Sequence, residues 1–315
     1  MWSQRRLRDE LRFVTEFNTL LDVMQQVVIS QLRRLEERVT SEPALMQTLR
    51  REIFPLLPDS AQSHPLVRGG TEGSIIVVMT SDEGMVGPLH TNVMRRAMEH
   101  ADQTTRWIVI GQRGMRLLGD HASHVQAMPM PSEMHVHDQM QRLSLDLLQR
   151  YLLAPVRQVM LIAPHFLSPM RQDVAIHQLL PLPVSQPSAD GGLKDRIIEP
   201  LIDRVLEELA ALWMTHVGIE AFWSARRAEC AARALHVECA RQELAKQAKV
   251  VHHEFFKSLH ERVDVLVRET CVVQRYAANR LAARPSVAAG GSGLRAFAQP
   301  PQPSVLSRVE QKGCA

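Results

Sequence analysis

The sequence predicts an α/β fold with long helices, in which one helix from each end of the chain pairs as an antiparallel coiled coil around a small open α/β domain. Residues 1–42 contain neither Pro nor Gly, and residues 201–284 contain no Pro and one Gly, Gly218. Between these stretches Pro and Gly recur every few residues, and runs of Val and Ile alternate with helical patterns. Long stretches without breakers indicate helical arms, and the alternation is typical of a parallel sheet covered by helices on both faces.

The N-terminal helix carries a heptad repeat. One apolar row recurs at every seventh position and contains Leu7, Val14, Leu21, Val28 and Leu35. A companion row, four residues further along, contains Leu11, Asn18, Gln25, Leu32 and Val39. Spacings of four and three residues are typical of a coiled-coil seam, in which an occasional polar residue sets the register. We therefore expect Asn18 and Gln25 to be register-setting contacts.

The C-terminal helix carries a matching row at spacings of three and four residues, made of Leu244, Ala248, Val251, Phe255, Leu259, Val263 and Leu266. As continuous helices, the two ends would be about 60 and about 125 Å long. Such lengths favour an intramolecular antiparallel pair over the alternative, two separate helices that lie on a globular core. Gly218 is the position at which the second helix could divide in two.

These patterns divide the chain into four parts: an N-terminal shaft helix with its connector at residues 1–56, an α/β domain at 73–200, the long helix at 201–284 and a tail at 285–315. The tail is rich in Gly, Ala, Pro and Ser, which predicts disorder. Within the α/β domain we expect strands at residues 74–80, 106–111, 158–162, 173–179 and 196–199, and helices at residues 89–101, 112–118 and 133–151.

The composition excludes several classes of function. The net charge of +3 is too small to indicate a nucleic-acid partner. The four cysteines, Cys230, Cys239, Cys271 and Cys314, form no C-x-x-C pair, so no zinc ribbon or thioredoxin motif is predicted. The longest apolar runs, at residues 74–79 and 159–164, are far shorter than the roughly 20 residues of a membrane span. We expect the partners to be proteins.

Catalytic and metal-binding motifs are also missing from the sequence. There is no Gly-Lys pair and therefore no P-loop, and neither G-x-G-x-x-G after a strand nor G-x-S-x-G occurs. Four histidines, His121, His124, His135 and His137, have metal-like spacing, but they fall in a loop-rich region without a supporting Cys or Glu frame. We expect no catalytic residue, no cofactor and no metal.

Residues 80–92, with the sequence TSDEGMVGPLHTN, follow the first predicted strand and enter a helix. Gly84 and Gly87 suit a sharp turn, which could hold an anion at the helix N-terminus with Ser81 or Asp82 as the cap. Taken alone, the segment fits a structural turn better than a nucleotide site.

The same segment resembles TSDRGLCGGLNSN in the gamma subunit of F-type rotary ATP synthases, and the matches include Thr80, Ser81, Asp82, Gly84 and Gly87. Four further matches follow the family's order along the chain. Residues 108–114 resemble IG-x-K-G, residues 165–182 resemble a segment that ends in LLPL, residues 32–36 resemble the end of MVAASKLRRAQE, and residues 228–233 resemble SENAARM. On these five matches the chain is identified as a member of the family from about residue 6 to residue 280.

The resemblance implies a function in rotary ATP synthesis. It implies a non-catalytic central-stalk rotor that couples proton or sodium flow through the membrane c-ring to ATP synthesis or hydrolysis, with catalysis in the beta subunits. The implied partners are the hexamer of alpha and beta subunits, the epsilon subunit and the c-ring. The implied location is the cytoplasmic face of the bacterial plasma membrane, which the chain reaches only through the complex.

Departures from the family pattern fall on the contacts with the stator. Leu259 and His260 replace an Arg-Gln pair, whereas Glu269 is kept. With Met24, which aligns with a methionine just upstream of the first-helix signature, His260 and Glu269 form the expected rotor–stator contact. These changes resemble the gamma subunit of the alternative, N-type ATPases. Two alternatives stay open: a free-standing coiled-coil scaffold without rotor function, and an α/β enzyme that uses residues 80–92 as a phosphate loop.

Overall fold

The structure, a computed structural model, describes residues 4–38, 42–119, 124–154, 156–184 and 201–282. Its two long helices are α1 (Gln4–Arg38) and α7 (Ile202–Ala282). Between them lie α2 (Glu42–Thr48), α3 (Pro65–Arg68), β1 (Ser74–Met79), α4 (Leu89–Glu99), β2 (Arg106–Ile110), α5 (Gln112–Leu118), β3 (Val125–Met128), α6 (Val136–Leu153), β4 (Gln158–Ser168) and β5 (Arg171–Leu180). A π-helical turn (Leu49–Ile53) and two 3-10 turns (Phe54–Leu56 and Asp59–Ser63) connect α2 to α3.

The five strands form one sheet in the order β3-β2-β1-β4-β5. β1 pairs in parallel with β2 and β4, β2 pairs in parallel with β3, and β5 is an antiparallel strand at one edge. Every residue of the central strand β1 is buried. A parallel strand covered on both faces needs such a continuous apolar run.

Successive side chains of the strands pack against different helices, because their directions alternate. On one face, Ile76, Val109 and Ile162 pack with Val93 and other residues of α4 and α5. On the other face, residues such as Val77 belong to a larger core with α6 and the first part of α7. The sheet is therefore covered by helices on both sides.

β3 lies where the sequence was interpreted as loop. Its four residues, Val125–Met128, are half-buried or exposed, and they lack the run of Val and Ile that marks β1 and β2. β4 is longer than the predicted 158–162, because residues after Ile162 continue into a hairpin with β5. The predicted strand at 196–199, His121, Cys314 and the tail at 285–315 lie outside the described residues.

α1 and α7 run antiparallel, because contacts between them join ascending positions of one helix to descending positions of the other. Gln31 Oε1 lies 4.0 Å from Cys230 Sγ, Gln25 Nε2 donates to Glu238 Oε2 at 3.0 Å, and Asp22 accepts from Arg241 at 3.0 Å. The predicted fold class, an antiparallel coiled coil with a central open α/β domain, is confirmed.

Gly218 does not divide α7, which is continuous from Ile202 to Ala282. A Cβ atom added to Gly218 would lie 2.9 Å from Met140 Sδ on α6. A glycine inside a helix costs about 1 kcal/mol relative to Ala, and here the cost is offset by the close packing of α6 against α7. The residue that the sequence offered as a break is instead a contact between two helices.

The chain falls into two units, Met1–Phe256 and Lys257–Ala315. The first unit contains the sheet, its covering helices and α1. In the described part of the second unit, residues 259–280 are exposed and helical. Among the described residues, no helix combines the length and apolar character that a membrane span requires.

The turn from β2 into α5 brings Gly111 against Thr80, the residue that follows β1. Gly111 has φ +93°, and a Cβ atom there would lie 2.5 Å from the Thr80 carbonyl oxygen. Gly119, at the other end of α5, has φ +53°, and a Cβ there would meet nothing within 4 Å. A side chain at either glycine would strain the backbone, but only at Gly111 would it also clash with a neighbouring residue. Comparing the two positions therefore distinguishes the two effects.

We expect Gly111→Ala to lower the free energy of unfolding by about 1–3 kcal/mol more than Gly119→Ala does. Both variants would carry backbone strain of about 1–3 kcal/mol, but only in Gly111→Ala would the new methyl group also clash with the Thr80 carbonyl. Urea unfolding of the two variants measures the difference. Equal destabilisation would contradict the close approach of Gly111 to Thr80.

Candidate functional site: the helix seam and the Thr80 turn

The heptad row of α1 lies in a buried seam. Its five members, Leu7, Val14, Leu21, Val28 and Leu35, are all buried, whereas the described members of the companion row are half-buried. Val14 and Leu21 form one apolar cluster with Val237 and Leu244 of α7. Interlocking aliphatic side chains of this kind resist bending and twisting of the helix pair.

Polar side chains in the companion row fix how the two helices align. Gln25 donates to Glu238 and accepts from Arg241 Nη1 at 2.6 Å, and Arg241 also pairs with Asp22. Asn18 Oδ1 is buried and finds no hydrogen-bond partner among the described residues. A slip of one heptad would separate Gln25 from both of its partners, so these contacts favour a single register.

The C-terminal row is buried only in part. Leu244 is buried, and Val251 and Phe255 are half-buried. Leu259 and Leu266 are 38% and 54% exposed, so the described residues do not bury them in a seam. α1 has 35 residues and α7 has 81, so the described part of α1 is too short to cover the whole of α7. The place of Leu259 and Leu266 in a seam stays a prediction.

The three expected rotor–stator residues fall in different units of the chain. Met24 is half-buried on α1 in the first unit, whereas His260 and Glu269 are exposed on α7 in the second unit. Their common role stays a prediction.

The Thr80 turn, residues 80–88 between β1 and α4, uses its polar groups internally. Thr80 Oγ1 donates to the Ile110 carbonyl at 2.8 Å and accepts from the Gly114 amide at 2.9 Å. Asp82 Oδ1 accepts from the Gln112 amide, the first of α5, at 2.7 Å. Asp82 therefore holds the start of α5 and does not cap α4.

Ser81 is likewise committed to contacts within the fold. Its hydroxyl donates to the Glu83 carbonyl at 3.0 Å and lies 2.8 Å from His90 Nε2 on α4. Burial, with Arg113 and Arg233 nearby, lowers the pKa of His90 to about 4, so its imidazole is neutral at pH 7. These contacts describe a structural turn, which is the interpretation that the sequence favoured.

The outer part of the Thr80 turn packs on α7. Arg233 Nη2 lies 2.6 Å from Glu83 Oε2, and Arg233 Nε donates to the Gly84 carbonyl at 3.3 Å. Val86 and Leu89 pack with two alanines of α7, Ala228 and Ala232. Two of the sequence motifs, the turn at 80–92 and the helix segment at 228–233, thus meet in space.

Glu229 is buried beside this contact. Its Oε2 lies 3.3 Å from Arg226 Nη1, and its Oε1 has no hydrogen-bond partner among the described residues. Burial raises the pKa of Glu229 to about 7, and the nearby Arg226 and Arg233 oppose the rise. Sequence reasoning missed Glu83, Glu229 and Arg233 as a group, although two of them lie in the segment that matched SENAARM.

The described histidines of the metal-like group do not form a metal site. His135 Nδ1 lies 2.9 Å from Ser132 Oγ. Among the described residues, which exclude His121, no three His, Cys, Asp or Glu side chains are close enough to hold a metal ion.

In the wild type we expect the free energy of unfolding to fall as the pH rises from 4.5 to about 7. In Glu229→Gln we expect this fall to be smaller. The folded-state pKa of about 7 lies above the ordinary value of 4.5. The folded chain therefore holds an extra proton between these values, and the free energy of unfolding falls as pH rises from 4.5 to about 7. Midpoints of thermal unfolding at pH 5 and pH 8 measure the effect, which should be smaller in Glu229→Gln than in the wild type.

Glu243→Gln, at an exposed position of the same helix, is the matched control and should keep the wild-type difference between the two pH values. An equal pH dependence in Glu229→Gln and in the wild type would show that Glu229 does not titrate in this range.

Comparisons with known proteins agree with this architecture. The family model described as ATP synthase matches residues 3–257. The ATP synthase gamma chain of Ralstonia nicotianae is 23% identical over 255 residues, which are 76% of this chain and 87% of the relative. That of Acidithiobacillus ferrooxidans is 26% identical over 234 residues, which are 70% of this chain and 81% of the relative.

Solved structures show the same fold. A chain in the Euglena gracilis mitochondrial ATP synthase structure of OSCP, F1 and c-ring superimposes with a TM-score of 0.65 at 15% identity, covering 92% of this chain and 99% of that one. A chain in the Tetrahymena thermophila central stalk and c-ring structure gives 0.53 at 15% identity, covering 70% and 99%. The family model matches more than half of the length of this chain. The chain therefore belongs to the ATP synthase family, as a divergent relative of the gamma chains.

Proposed function

We propose that this chain is the central-stalk rotor, or gamma, subunit of an F-type ATP synthase or ATPase. It would couple proton or sodium flow through a membrane c-ring to ATP synthesis or hydrolysis at a hexamer of alpha and beta subunits. The observation that carries the proposal is the buried antiparallel seam of α1 and α7, built on a chain that matches the family over residues 3–257. The subunit itself would catalyse no reaction.

The seam and the Thr80 turn both suit a mechanical part. Aliphatic packing along the seam gives stiffness, and the contacts of Gln25 and Arg241 fix the alignment of the helices. The polar groups of Thr80, Ser81 and Asp82 are used to hold β1, α4 and α5 together, which leaves them unsuited to cradling a phosphate. This favours the rotor over the α/β enzyme.

A stripe of apolar side chains on α1 flanks the seam, and we propose that it contacts the alpha and beta subunits. This outer stripe consists of Phe13, Phe17, Leu20, Met24 and Val27, of which all but the half-buried Met24 are exposed. Phe13 and Phe17 stack with ring centroids 5.7 Å apart. Contiguous exposed apolar surface of this kind marks protein interaction sites. Met24, His260 and Glu269 would contribute to the same rotor–stator contact.

The other partners would be the epsilon subunit and the c-ring, and the complex would lie on the cytoplasmic face of a bacterial plasma membrane. The replacement of the family's Arg-Gln pair by Leu259 and His260 supports membership of the N-type ATPases. The same replacement favours the second candidate, a coiled-coil scaffold that has lost its rotor role. Gene neighbourhood separates the two, because a rotor gene is expected among genes for other ATPase subunits.

Affinity purification of the tagged chain from the native membrane tests the proposal. We expect alpha and beta subunits to copurify with the chain in a complex that hydrolyses ATP. Recovery of the chain without any ATPase beta subunit would overturn the rotor proposal and leave the scaffold.

Val27→Asp and Val28→Asp form a matched pair on adjacent residues of α1. Val28 is 3% exposed in the core, whereas Val27 is 50% exposed on the outer stripe. Val28→Asp buries an unpaired carboxylate and should lower the free energy of unfolding by at least about 2 kcal/mol. Val27→Asp should change it by no more than about 0.5 kcal/mol but should weaken binding to the alpha–beta hexamer. Thermal unfolding and pull-down measure the two effects.

Normal hexamer binding by a fully folded Val27→Asp chain would contradict the stator role of the outer stripe. Equal stability of the two variants would contradict the burial of Val28 in the seam.

A further inference from the structure

Two separate parts of the α/β domain hold one short stretch of α7, residues 224–233. The first part is the end of β4. The Phe166 amide donates to Ser224 Oγ at 3.1 Å, and His165 Nδ1 lies 3.0 Å from the same oxygen. The Arg227 guanidinium lies over the Phe166 ring, 5.0 Å from its centroid. The second part is the Thr80 turn, through the contacts of Arg233 with Glu83 and Gly84.

These two sets of contacts meet where Phe166 packs beside Ala228 and Ala232, and together they extend around about half of the helix circumference. Ser224 and Arg233 are nine residues apart, and at about 100° per residue their side chains point about 180° away from each other around the helix axis. A helix held from one side can roll on its support, whereas a helix held from two sides resists rotation about its axis. The 224–233 junction therefore fixes how α7 is turned relative to the sheet.

The ionic contact adds a directional restraint that the apolar contacts lack. Ala228 and Ala232 present only methyl groups to Val86 and Leu89, and such contacts tolerate small rotations. Arg233 is 8% exposed and reaches a carboxylate and a backbone carbonyl from one rigid guanidinium. The hydrogen bond from Arg233 Nε to Gly84 depends on orientation, whereas the pair of Nη2 with the 57%-exposed Glu83 is an ion pair without hydrogen-bond geometry.

The partners of Arg233 are themselves held in place. Glu83 and Gly84 follow directly on Ser81 and Asp82, which are hydrogen-bonded within the turn and to the first amide of α5. Glu229, one turn before Arg233 on α7, is close enough for the charge of Arg233 to act on its carboxyl. The backbone segment 81–84 thus contacts α7 through Glu83 and Gly84 and α5 through Asp82.

We propose that Arg233 is a positioning residue, which locks the rotational setting of α7 to the α/β domain so that torque passes between them without slip. This inference rests on the proposed rotor function. Arg233 acts through Glu83 and the Gly84 carbonyl, and it touches neither nucleotide nor ion. Removing it leaves the apolar contacts of α7 in place but removes the ion pair and the hydrogen bond that oppose small rotations of the helix under load.

The test uses the assembled complex in membrane vesicles, with ATP hydrolysis and ATP-driven ion pumping measured on the same preparation. In Arg233→Gln we expect fewer ions pumped per ATP hydrolysed, with the deficit growing as the opposing ion gradient rises. Arg233→Lys keeps the charge but not the paired contacts, and should recover part of the ratio. Lys246→Gln is the matched control, because it removes a cation of α7 whose ion pair is exposed and lies within the helix, with Glu243, and its ratio should equal that of the wild type.

Glu83→Gln provides the test if Arg233→Gln fails to assemble, because Glu83 is an exposed partner whose loss spares the core. The inference would be overturned if the assembled Arg233→Gln complex pumped at the wild-type ratio at every gradient. If that variant does not assemble, the same result in Glu83→Gln would overturn it.

Amide hydrogen exchange on the full-length chain gives a readout that needs no complex. Residues 224–236 should exchange about tenfold faster in Arg233→Gln than in Lys246→Gln. If Arg233→Gln exchanges faster but the chain purifies without any ATPase complex, the rotor function is refuted and the junction is not. If exchange in Arg233→Gln is unchanged, the junction itself is refuted.

Discussion

One constraint governs the structure: α7 has to belong to two apolar cores without a break. Side chains such as Trp213 and Phe222 lie in the large core with the sheet and α6, whereas Val237 and Leu244 pack against α1. A break between these regions would separate the sheet from the seam. Gly218 is the weakest helix former in this part of α7, and its close contact with Met140 compensates for that weakness. The chain thus keeps one helix continuous where its sequence alone would allow two.

Polar contacts join α7 to the Thr80 turn, and those contacts are costly to build. Arg233 and Glu229 are buried, and a buried charge destabilises the fold unless it is paired. Replacement of Arg233, Glu229 and their charged partners by apolar side chains could raise the free energy of unfolding, as it does for buried ion pairs in other proteins. Apolar side chains would not, however, define one orientation of the helix as sharply. Raising the pKa of Glu229 lessens the cost further, because the carboxyl can be neutral near pH 7.

Local patterns in the sequence predicted most of the fold because they depend on neighbouring residues. The heptad of α1 and the Val and Ile runs of β1 and β2 each report the surroundings of a single element, and the structure buries them. β3 was missed because a short edge strand with half-buried residues needs no apolar run. Leu259 and Leu266 continue the apolar periodicity of α7 into the second unit of the chain, where both side chains are exposed. The periodicity of a sequence reveals an apolar face of a helix but not what covers that face.

The candidate site was harder to predict because its parts are far apart in sequence. Gly84 and Arg233 are separated by 149 positions, and neither residue type is unusual in a turn or on a helix. The role of Asp82 was likewise assigned to the wrong helix, because its nearest helix in sequence is α4, whereas its partner is the first amide of α5. What the sequence did contain was the resemblance of both segments to one family, with no indication that they touch. Their contact gives the resemblance a physical reason: the turn and the helix segment are two halves of one joint, so a change in either half alters what the other can bind.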